Sequence, residues 1–495
     1  MQAYYAGSGA VAHGLSSTEK HTLRERLTPD ARGIVLVMVG LPARGKSFIS
    51  RRTERFLQWR GIRTRMFNVG KYRRDALDPQ CSGRSDFFAA DNKQALQVRE
   101  TAAIAALEDA ISFLDAHGSI AILDATNSTV ARRRKIVEYV EAHQRGYRVL
   151  FVEAICNDAQ VLDANMWGKV SNSPDFSGLE PAAALSDLRK RIAKYEEVYE
   201  TVGDEEGSFI KLFNLSSKVM VNQCYGRMTK TVLPYLMAIH IGARPIWLVR
   251  AGPGPINSCD GAASERSGVL SNAGWTFASN LAAFVKKRAE SFWQEAGKPQ
   301  EPTHFVTGTW PRAIASVCYA TDSSEQASAL NPIDKGSMGS GWWSAECDRD
   351  MPPWEEIEKH HPEFFEQWRK DPLRVRFPGG ESYMDVIKRL EGLLIEVEMC
   401  TRPVLLVSHL TVLQLLMAYF RDIPVEEAWK LPVPKGTVIE VTPLSGGGFK
   451  VDEHTIFSSQ EQISDATGGD EGAAKRRRIS NLPGEFDTPP AILVA

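Results

Sequence analysis

From "GIVLVMVG" onward, short apolar runs alternate with stretches in which hydrophobic residues recur at helical spacing. "AIAALEDAISFLDAHG" and "RRRKIVEYVEAHQRG" carry the helical period. "SIAILDATN" and "YRVLFVEAIC" are compact apolar runs of strand type. Strands recurring between helices of roughly 10–15 residues predict βαβ units, that is, an α/β fold with a parallel sheet. The block closes near "VLPYLMAIHIGARP", and a second one opens with "IWLVR". It repeats the alternation through "THFVTG", "YMDVIKRLEGLLIEVEM", "PVLLVSH", "LTVLQLLMAYF" and "GTVIEVTP". The expected organisation is a disordered N-terminal tail over 1–30, a first α/β domain over 31–242, a second over 243–445 and a disordered C-terminal tail over 446–495.

With 495 residues the chain is too long for a single core, so two domains plus tails agree with its length. A formal net charge of −2 gives no support for wholesale nucleic-acid or membrane binding. The seven cysteines include no C-x-x-C pair, which removes the usual zinc and disulfide signatures and suits a reducing compartment. No basic-then-apolar leader opens the chain, and "PVLLVSHLTVLQLLMAYF" reads as strand, turn and buried helix rather than a membrane span. The expected location is cytoplasmic.

Candidate chemistry begins directly after the first strand. Gly40, Leu41, Pro42, Ala43, Arg44, Gly45, Lys46 and Ser47 form G-x-x-x-x-G-K-S between an apolar strand and a helical pattern. Such a turn lets backbone N–H groups close around phosphate oxygens, with the lysine reaching the terminal phosphates and the serine able to bind Mg²⁺. Asp124 stands at the carboxyl end of a second strand, where a carboxylate can engage a metal or a hydroxyl; an Asx-turn or helix cap is the competing role. Basic residues then accumulate: Lys71, Arg73 and Arg74 in "FNVGKYRRD", Arg99, Arg132 to Arg134, and Arg191 with Tyr195. Any one arginine could belong to a solvated helix face. Together they favour an anionic acceptor carrying its own phosphate.

Taken in order, "GLPARGKS", "FNVGKYRRD", "DATNST", "VEAIC", "NSPDF" and "KRIAKYEEVYE" resemble the 6-phosphofructo-2-kinase/fructose-2,6-bisphosphatase family over about residues 33–445. The resemblance implies an N-terminal P-loop kinase domain and a C-terminal histidine-phosphatase-like, phosphoglycerate-mutase-like α/β domain. It implies transfer of the γ-phosphoryl of Mg²⁺-bound ATP to the 2-hydroxyl of fructose 6-phosphate, and it leaves a homodimer possible. Carried over by position, Gly40 to Ser47, Asn165 and Lys169 would hold ATP. Asp124, Lys46 and Cys156 would be catalytic, and Ser47 and Asp124 would face the metal. Arg74, Arg99, Thr126, Arg132, Arg191 and Tyr195 would hold the sugar phosphate. Cys156 matches a family site position, although a buried core thiol is the competing role. One departure stands out: Val170 occupies the family's lysine position and Lys169 lies one place earlier, a 100° rotation on a helix.

The second block resembles the family's histidine phosphatase domain with its chemistry altered. Where that domain reads R-H-G, this chain has Arg250, Ala251 and Gly252, so the nucleophile is missing. Pro332 in "LNPIDKG" stands where the family places its proton-donating glutamate. Arg250, Asn257, Arg312, Tyr383 and His409 remain, while Leu410 and Gln414 replace two ligand-holding residues. The inserted "GSGWWSAECDRDMPPW" also falls near the expected pocket. His409 is then either an idle strand-end histidine or part of a residual phosphate site.

The expected function is a 6-phosphofructo-2-kinase whose bisphosphatase activity is lost. A different P-loop kinase for small molecules, and a non-catalytic ATP and sugar-phosphate sensor, are the alternatives. In the tail, "KRRRISNLP" places Arg477 and Arg478 before Ser480, a pattern that suits phosphorylation by a basophilic protein kinase.

Overall fold

The computed structural model describes residues 32–76, 85–88, 92–215, 217–240, 242–254, 270–336 and 358–457. Asn257, Ser480 and the inserted 339–354 stretch lie outside the described residues. The chain divides into two compact units, with the boundary between Ile241 and Gly242.

In the first unit, β1 (Gly33–Val39) runs into α1 (Lys46–Trp59), followed by β2 (Thr64–Asn68) and α2 (Val69–Asp75). Next come α3 (Lys93–His117), β3 (Ile120–Asp124), α4 (Val130–Ala142), β4 (Tyr147–Ile155), α5 (Ala159–Asn172) and α6 (Pro181–Glu196). The unit ends with β5 (Phe209–Phe213), β6 (Lys218–Asn222) and α7 (Gly226–Ala238). The sheet order is β2-β3-β1-β4-β5-β6. The first five strands are mutually parallel, and only β6 runs antiparallel, against β5. β1 lies at the centre and is buried along its whole length, which explains its unbroken apolar sequence: a strand covered on both faces has no polar side to show. β1 sits between β3 and β4, so the loops after β1 and β3 open side by side at the strands' carboxyl ends.

The second unit contains β7 (Ile246–Arg250), α8 (Asn272–Ala296), β8 (His304–Thr307), α9 (Pro311–Ala315) and β9 (Glu325–Gln326). It continues through α10 (Pro362–Lys370), α11 (Tyr383–Met399), β10 (Val404–Ser408), α12 (Leu410–Arg421), β11 (Thr437–Pro443) and β12 (Phe449–Thr455). Its order is β12-β11-β7-β10-β8-β9, parallel from β9 to β7 and antiparallel at β11 and β12. The "PVLLVSHLTVLQLLMAYF" stretch splits into β10 and α12, both buried, as its interrupting polar residues predict. No described helix is long and apolar enough to cross a membrane.

The expected tail boundary at 446 needs correction. β12 pairs with β11 along its whole length, from Thr437 opposite Thr455 to Pro443 opposite Phe449. "FKVDEHT" is an edge strand with polar and half-buried positions, so it lacks the apolar run that marks a central strand.

Candidate active site

The turn after β1 is built for close backbone approach. Gly40 has φ +135° and Gly45 φ +83°, and Ala43 adopts φ +61° between them. A Cβ on Gly40 would lie 2.5 Å from the Ala154 carbonyl oxygen, so glycine is required by space as well as by backbone conformation. The Gly40 N–H donates to the Thr126 carbonyl at 2.9 Å, tying this turn to the one after β3. Leu41 and Pro42 continue the turn. Arg44 pairs with Glu196 at 3.5 Å on α6.

α1 opens at Lys46 with no side-chain cap, which leaves its first N–H groups directed at the turn. Lys46 is buried, and its ammonium donates to the Leu41 carbonyl at 2.6 Å. Burial first, then neighbouring Lys169, lowers the Lys46 pKa from 10.5 to about 7, with Asp124 acting in the opposite sense. The Ser47 hydroxyl donates to Asp124 Oδ2 at 2.6 Å, and Asn68 Nδ2 donates to the same oxygen at 2.6 Å. Asn68 was not singled out in the sequence. It sits opposite Asp124 in the β2–β3 register, and its own side chain caps α2. Its signal was present as the residue before a helix at a strand end, an ordinary cap pattern.

Lys169 and Val170 show how the one-residue shift resolves. Val170 is buried in an apolar cluster with Ala43, Met166, Phe176, Ala184, Leu188 and Ile192. Lys169, one position back on α5, falls within the electrostatic field of Asp124, Lys46 and Arg191. Burial first, and then Arg191, lowers its pKa to about 8. Asn165 lies four residues earlier on α5, hence on the same helix face as Lys169. Cys156 is buried immediately after β4 as a free thiol.

The basic residues separate sharply by environment. The "RRRK" run splits three ways. Arg133 is fully buried and holds the Asn127, Glu200 and Thr201 carbonyls and the Glu206 carboxylate. Arg134 is exposed. Arg132 is half-buried beside Tyr195 and Arg99, with its Nε donating to Asn127 Oδ1 at 3.1 Å. Arg73, Arg74 and Arg191 all donate to Asp175. Tyr195 is hydrogen-bonded to Thr126; burial would raise its pKa, but Arg191, Arg99 and Arg132 outweigh that and lower it. Arg99, Thr126, Arg132, Arg191 and Tyr195 therefore form one continuous cationic patch, with Arg74 joined to it through Asp175.

In the second unit, Arg250 ends β7 and donates to the Val433 carbonyl at 3.2 Å. Ala251 packs its methyl against the core formed by Trp247, Val249, Phe277 and their neighbours. Gly252 N–H is held by Ser316 Oγ at 2.9 Å. Arg312 Nη2 lies 3.3 Å from His409 Nδ1; since arginine can only donate, Nδ1 accepts and the ring proton belongs on Nε2. His409 is buried and packs edge-on against Trp310. Gln414 points its amide at the Trp429 and Leu431 carbonyls, at 2.9 and 3.0 Å. The Pro332 carbonyl accepts from Arg389 at 3.1 Å. Tyr383 is buried at the start of α11, and burial pushes its phenol up to about 12 against a hydrogen bond from Thr411. Arg250, Arg312 and His409 are thus present, but no side chain at 251 or 332 can attack or donate a proton.

Comparison with known proteins gives each unit its own family match. Residues 24–243 match the 6-phosphofructo-2-kinase family, and residues 348–456 match the histidine phosphatase superfamily, branch 1. The chain is 37% identical over 418 residues to the 6-phosphofructo-2-kinase/fructose-2,6-bisphosphatase of Aquarana catesbeiana, covering 83% of each. Against 6-phosphofructo-2-kinase/fructose-2,6-bisphosphatase 1 of Homo sapiens it is 36% identical over 417 residues, covering 83% of this chain and 82% of that one. The Arabidopsis thaliana relative is 37% identical over 444 residues; the match takes in 88% of this chain but only 55% of that longer protein. With a 6-phosphofructo-2-kinase domain followed by a histidine phosphatase fold, the chain belongs to the 6-phosphofructo-2-kinase/fructose-2,6-bisphosphatase family.

Proposed function

We propose that the first unit transfers the γ-phosphoryl of ATP to O2 of fructose 6-phosphate, and that the second unit has lost the hydrolysis of the resulting fructose 2,6-bisphosphate. One arrangement carries the kinase half: Lys46, Ser47 and Asp124 sit together at the Gly-rich turn, in the same unit as the cationic patch around Arg191.

Backbone N–H groups of the Gly-rich turn after Pro42 and of the first turn of α1 cradle the ATP phosphates, while the Gly40 N–H stays on the Thr126 carbonyl. Lys46 and Lys169 neutralise charge that spreads over the transferring group. Asn165 supports the nucleotide from the Lys169 face of α5. Asp124 accepts both its hydrogen bonds on Oδ2, so Oδ1 is the oxygen that can receive the proton of the sugar 2-hydroxyl. Arg74, Arg99, Arg132 and Arg191, with Thr126 and Tyr195, hold the 6-phosphate and orient the hydroxyl. Cys156 contributes packing at the base of the site.

Ser47 Oγ and the Asp124 carboxylate are hard oxygen donors 2.6 Å apart, a set that fits Mg²⁺ bound together with nucleotide phosphates and water. No described cluster of three or more His, Cys, Asp or Glu offers a protein-only cage. Magnesium bound with ATP would supply charge neutralisation at the β- and γ-oxygens.

For the second unit, loss of the nucleophile and of the acid supports a non-hydrolytic domain. The test is direct assay of the full chain with ATP, Mg²⁺ and fructose 6-phosphate, measuring fructose 2,6-bisphosphate formed. Product formation that disappears in Lys46→Ala supports the reading. ATP binding without product would overturn it in favour of a sensor.

A further inference from the structure

Three guanidinium groups in the first unit converge on one carboxylate. Asp175 lies in the short turn Pro174–Phe176 that follows α5, and its side chain is 3% exposed. Arg73 Nη2 donates to both of its oxygens, at 2.7 and 2.8 Å. Arg191 Nη1 donates to Oδ2 at 2.9 Å, and Arg74 Nη1 to Oδ1 at 3.2 Å. The donors come from α2 and α6, which are far apart in sequence. The Phe88 ring lies under the same group, with the Arg191 guanidinium 3.6 Å and the Arg73 guanidinium 5.1 Å from its centre.

One negative charge cannot neutralise three positive ones, so the cluster keeps a cationic surplus even before Arg99, Arg132 and Lys169 are counted. Without Asp175, Arg73, Arg74 and Arg191 would repel one another across a dry space and splay apart. With it, they are bracketed. Arg73 is the inner clamp, using both carboxylate oxygens, while Arg74 remains 28% exposed at the outer edge. The Nε atoms of Arg73 and Arg191 are buried and have no hydrogen-bond partner, so neither guanidinium is satisfied by Asp175 alone. Burial would raise the Asp175 pKa, but Arg191 and Arg73 hold it far below the ordinary carboxylate range. Its charge is therefore constant at any working pH.

We infer that Asp175 is a positioning residue for the sugar-phosphate subsite, spacing Arg74 and Arg191 so that an incoming phosphate monoester meets donors already in place. This rests on the sugar-phosphate reading of those two arginines. A carboxylate near a phosphate also repels it, so the inference makes a choice of sign: ordering of the arginines outweighs that repulsion. The same turn carries Phe176 into the apolar cluster that supports Ala43 of the Gly-rich turn, so the bracket is anchored to the nucleotide side of the site.

The test uses the full chain with Asp175→Asn, which keeps the shape and removes the charge, and Asp175→Glu, which restores it. Calorimetric binding of fructose 6-phosphate and of ATP is measured separately, with steady-state kinetics and a thermal melt. Asp175→Asn is expected to weaken fructose 6-phosphate binding and raise its KM about tenfold or more, the scale of one charge-assisted contact. ATP affinity should fall by clearly less, because Asp175 holds the sugar-phosphate arginines directly and acts on the nucleotide side only at a distance, through the charge of Lys169. Asp175→Glu should recover part of the sugar-phosphate affinity. Unchanged or tighter fructose 6-phosphate binding in Asp175→Asn overturns the assignment, as does an equal loss of both ligands, which would mark a purely structural role. A wild type that binds ATP but no fructose 6-phosphate overturns the proposed function and this assignment together.

Discussion

Lys46 and Lys169 bring two ammonium groups into one dry corner where the nearby carboxylates, Asp124 and for Lys169 also Asp175, do not offset the cost of burial, and this arrangement makes nucleotide binding depend on protons. Burial and then Lys169 lower Lys46 to about 7, and burial and then Arg191 lower Lys169 to about 8. Near pH 7.5 a fraction of these lysines is neutral in the free protein. An ATP polyanion favours the charged forms, so binding draws protons in, and affinity falls as pH rises through this window. Calorimetry of ATP binding at pH 7.5, in buffers of different ionisation enthalpy, should show net proton uptake that shrinks in Lys46→Met. A proton count of zero would refute the coupling. Lys46→Ala should lower turnover by about 10²-fold or more with little change in the melting curve, because the group acts on charge developing in transfer rather than on packing. Gly40→Ala is expected to fail differently. Its Cβ would collide with the Ala154 carbonyl, so loss of nucleotide binding should come with a lower melting temperature.

At the scale of elements, α5 shows where a one-residue slip leaves a lysine. Val170 faces the apolar cluster under the Gly-rich turn, and Lys169 faces the charged side. Moving the lysine to the family's position, as Val170→Lys, would put an ammonium into that cluster and destabilise the domain by about 2–4 kcal/mol. A thermal melt should show a drop of several degrees without gain in turnover. Lys169→Met, in contrast, should leave the melt nearly unchanged and cut activity. α4 teaches a related lesson. Its consecutive arginines have three different fates because successive residues on a helix point 100° apart. The run of charge was readable in the sequence, but its division into hub, site residue and solvated residue was not. Only the positions of the 197–207 loop and of Tyr195 decide it.

At the scale of the whole molecule, the first unit gathers its candidate phosphate-handling groups, while the second keeps Arg312 on His409 but has alanine at 251 and proline at 332. Incubation with labelled fructose 2,6-bisphosphate should give neither release of phosphate nor an acid-labile phosphoenzyme. Label on the second unit would overturn the proposed loss. The double variant Ala251→His with Pro332→Glu should remain inactive, because Gln414 is committed to the Trp429 and Leu431 carbonyls and the Leu410 side chain offers no polar group. Restored hydrolysis would show that these replacements leave the pocket usable.

The alternation of apolar runs and helical periods was enough to point to two α/β units, because burial on both faces writes itself into a central strand's composition. The Gly-rich turn was equally legible: its backbone conformation demands glycine whatever surrounds it. That positions 251 and 332 carry an alanine and a proline, which can neither attack nor donate a proton, was plain from the residue types alone. Edge strands such as β12 were not legible, since a strand with one partner and a solvated face carries no apolar run. Asn68 and Asp175 also escaped notice. Each looks like a local cap or turn residue, and each joins the site only through partners distant in the chain: Asp124 for one, Arg73 and Arg191 for the other. Local conformation and burial are properties of short sequence windows. The convergence of charges on a common point is a property of the packed chain, and tertiary structure alone determines it.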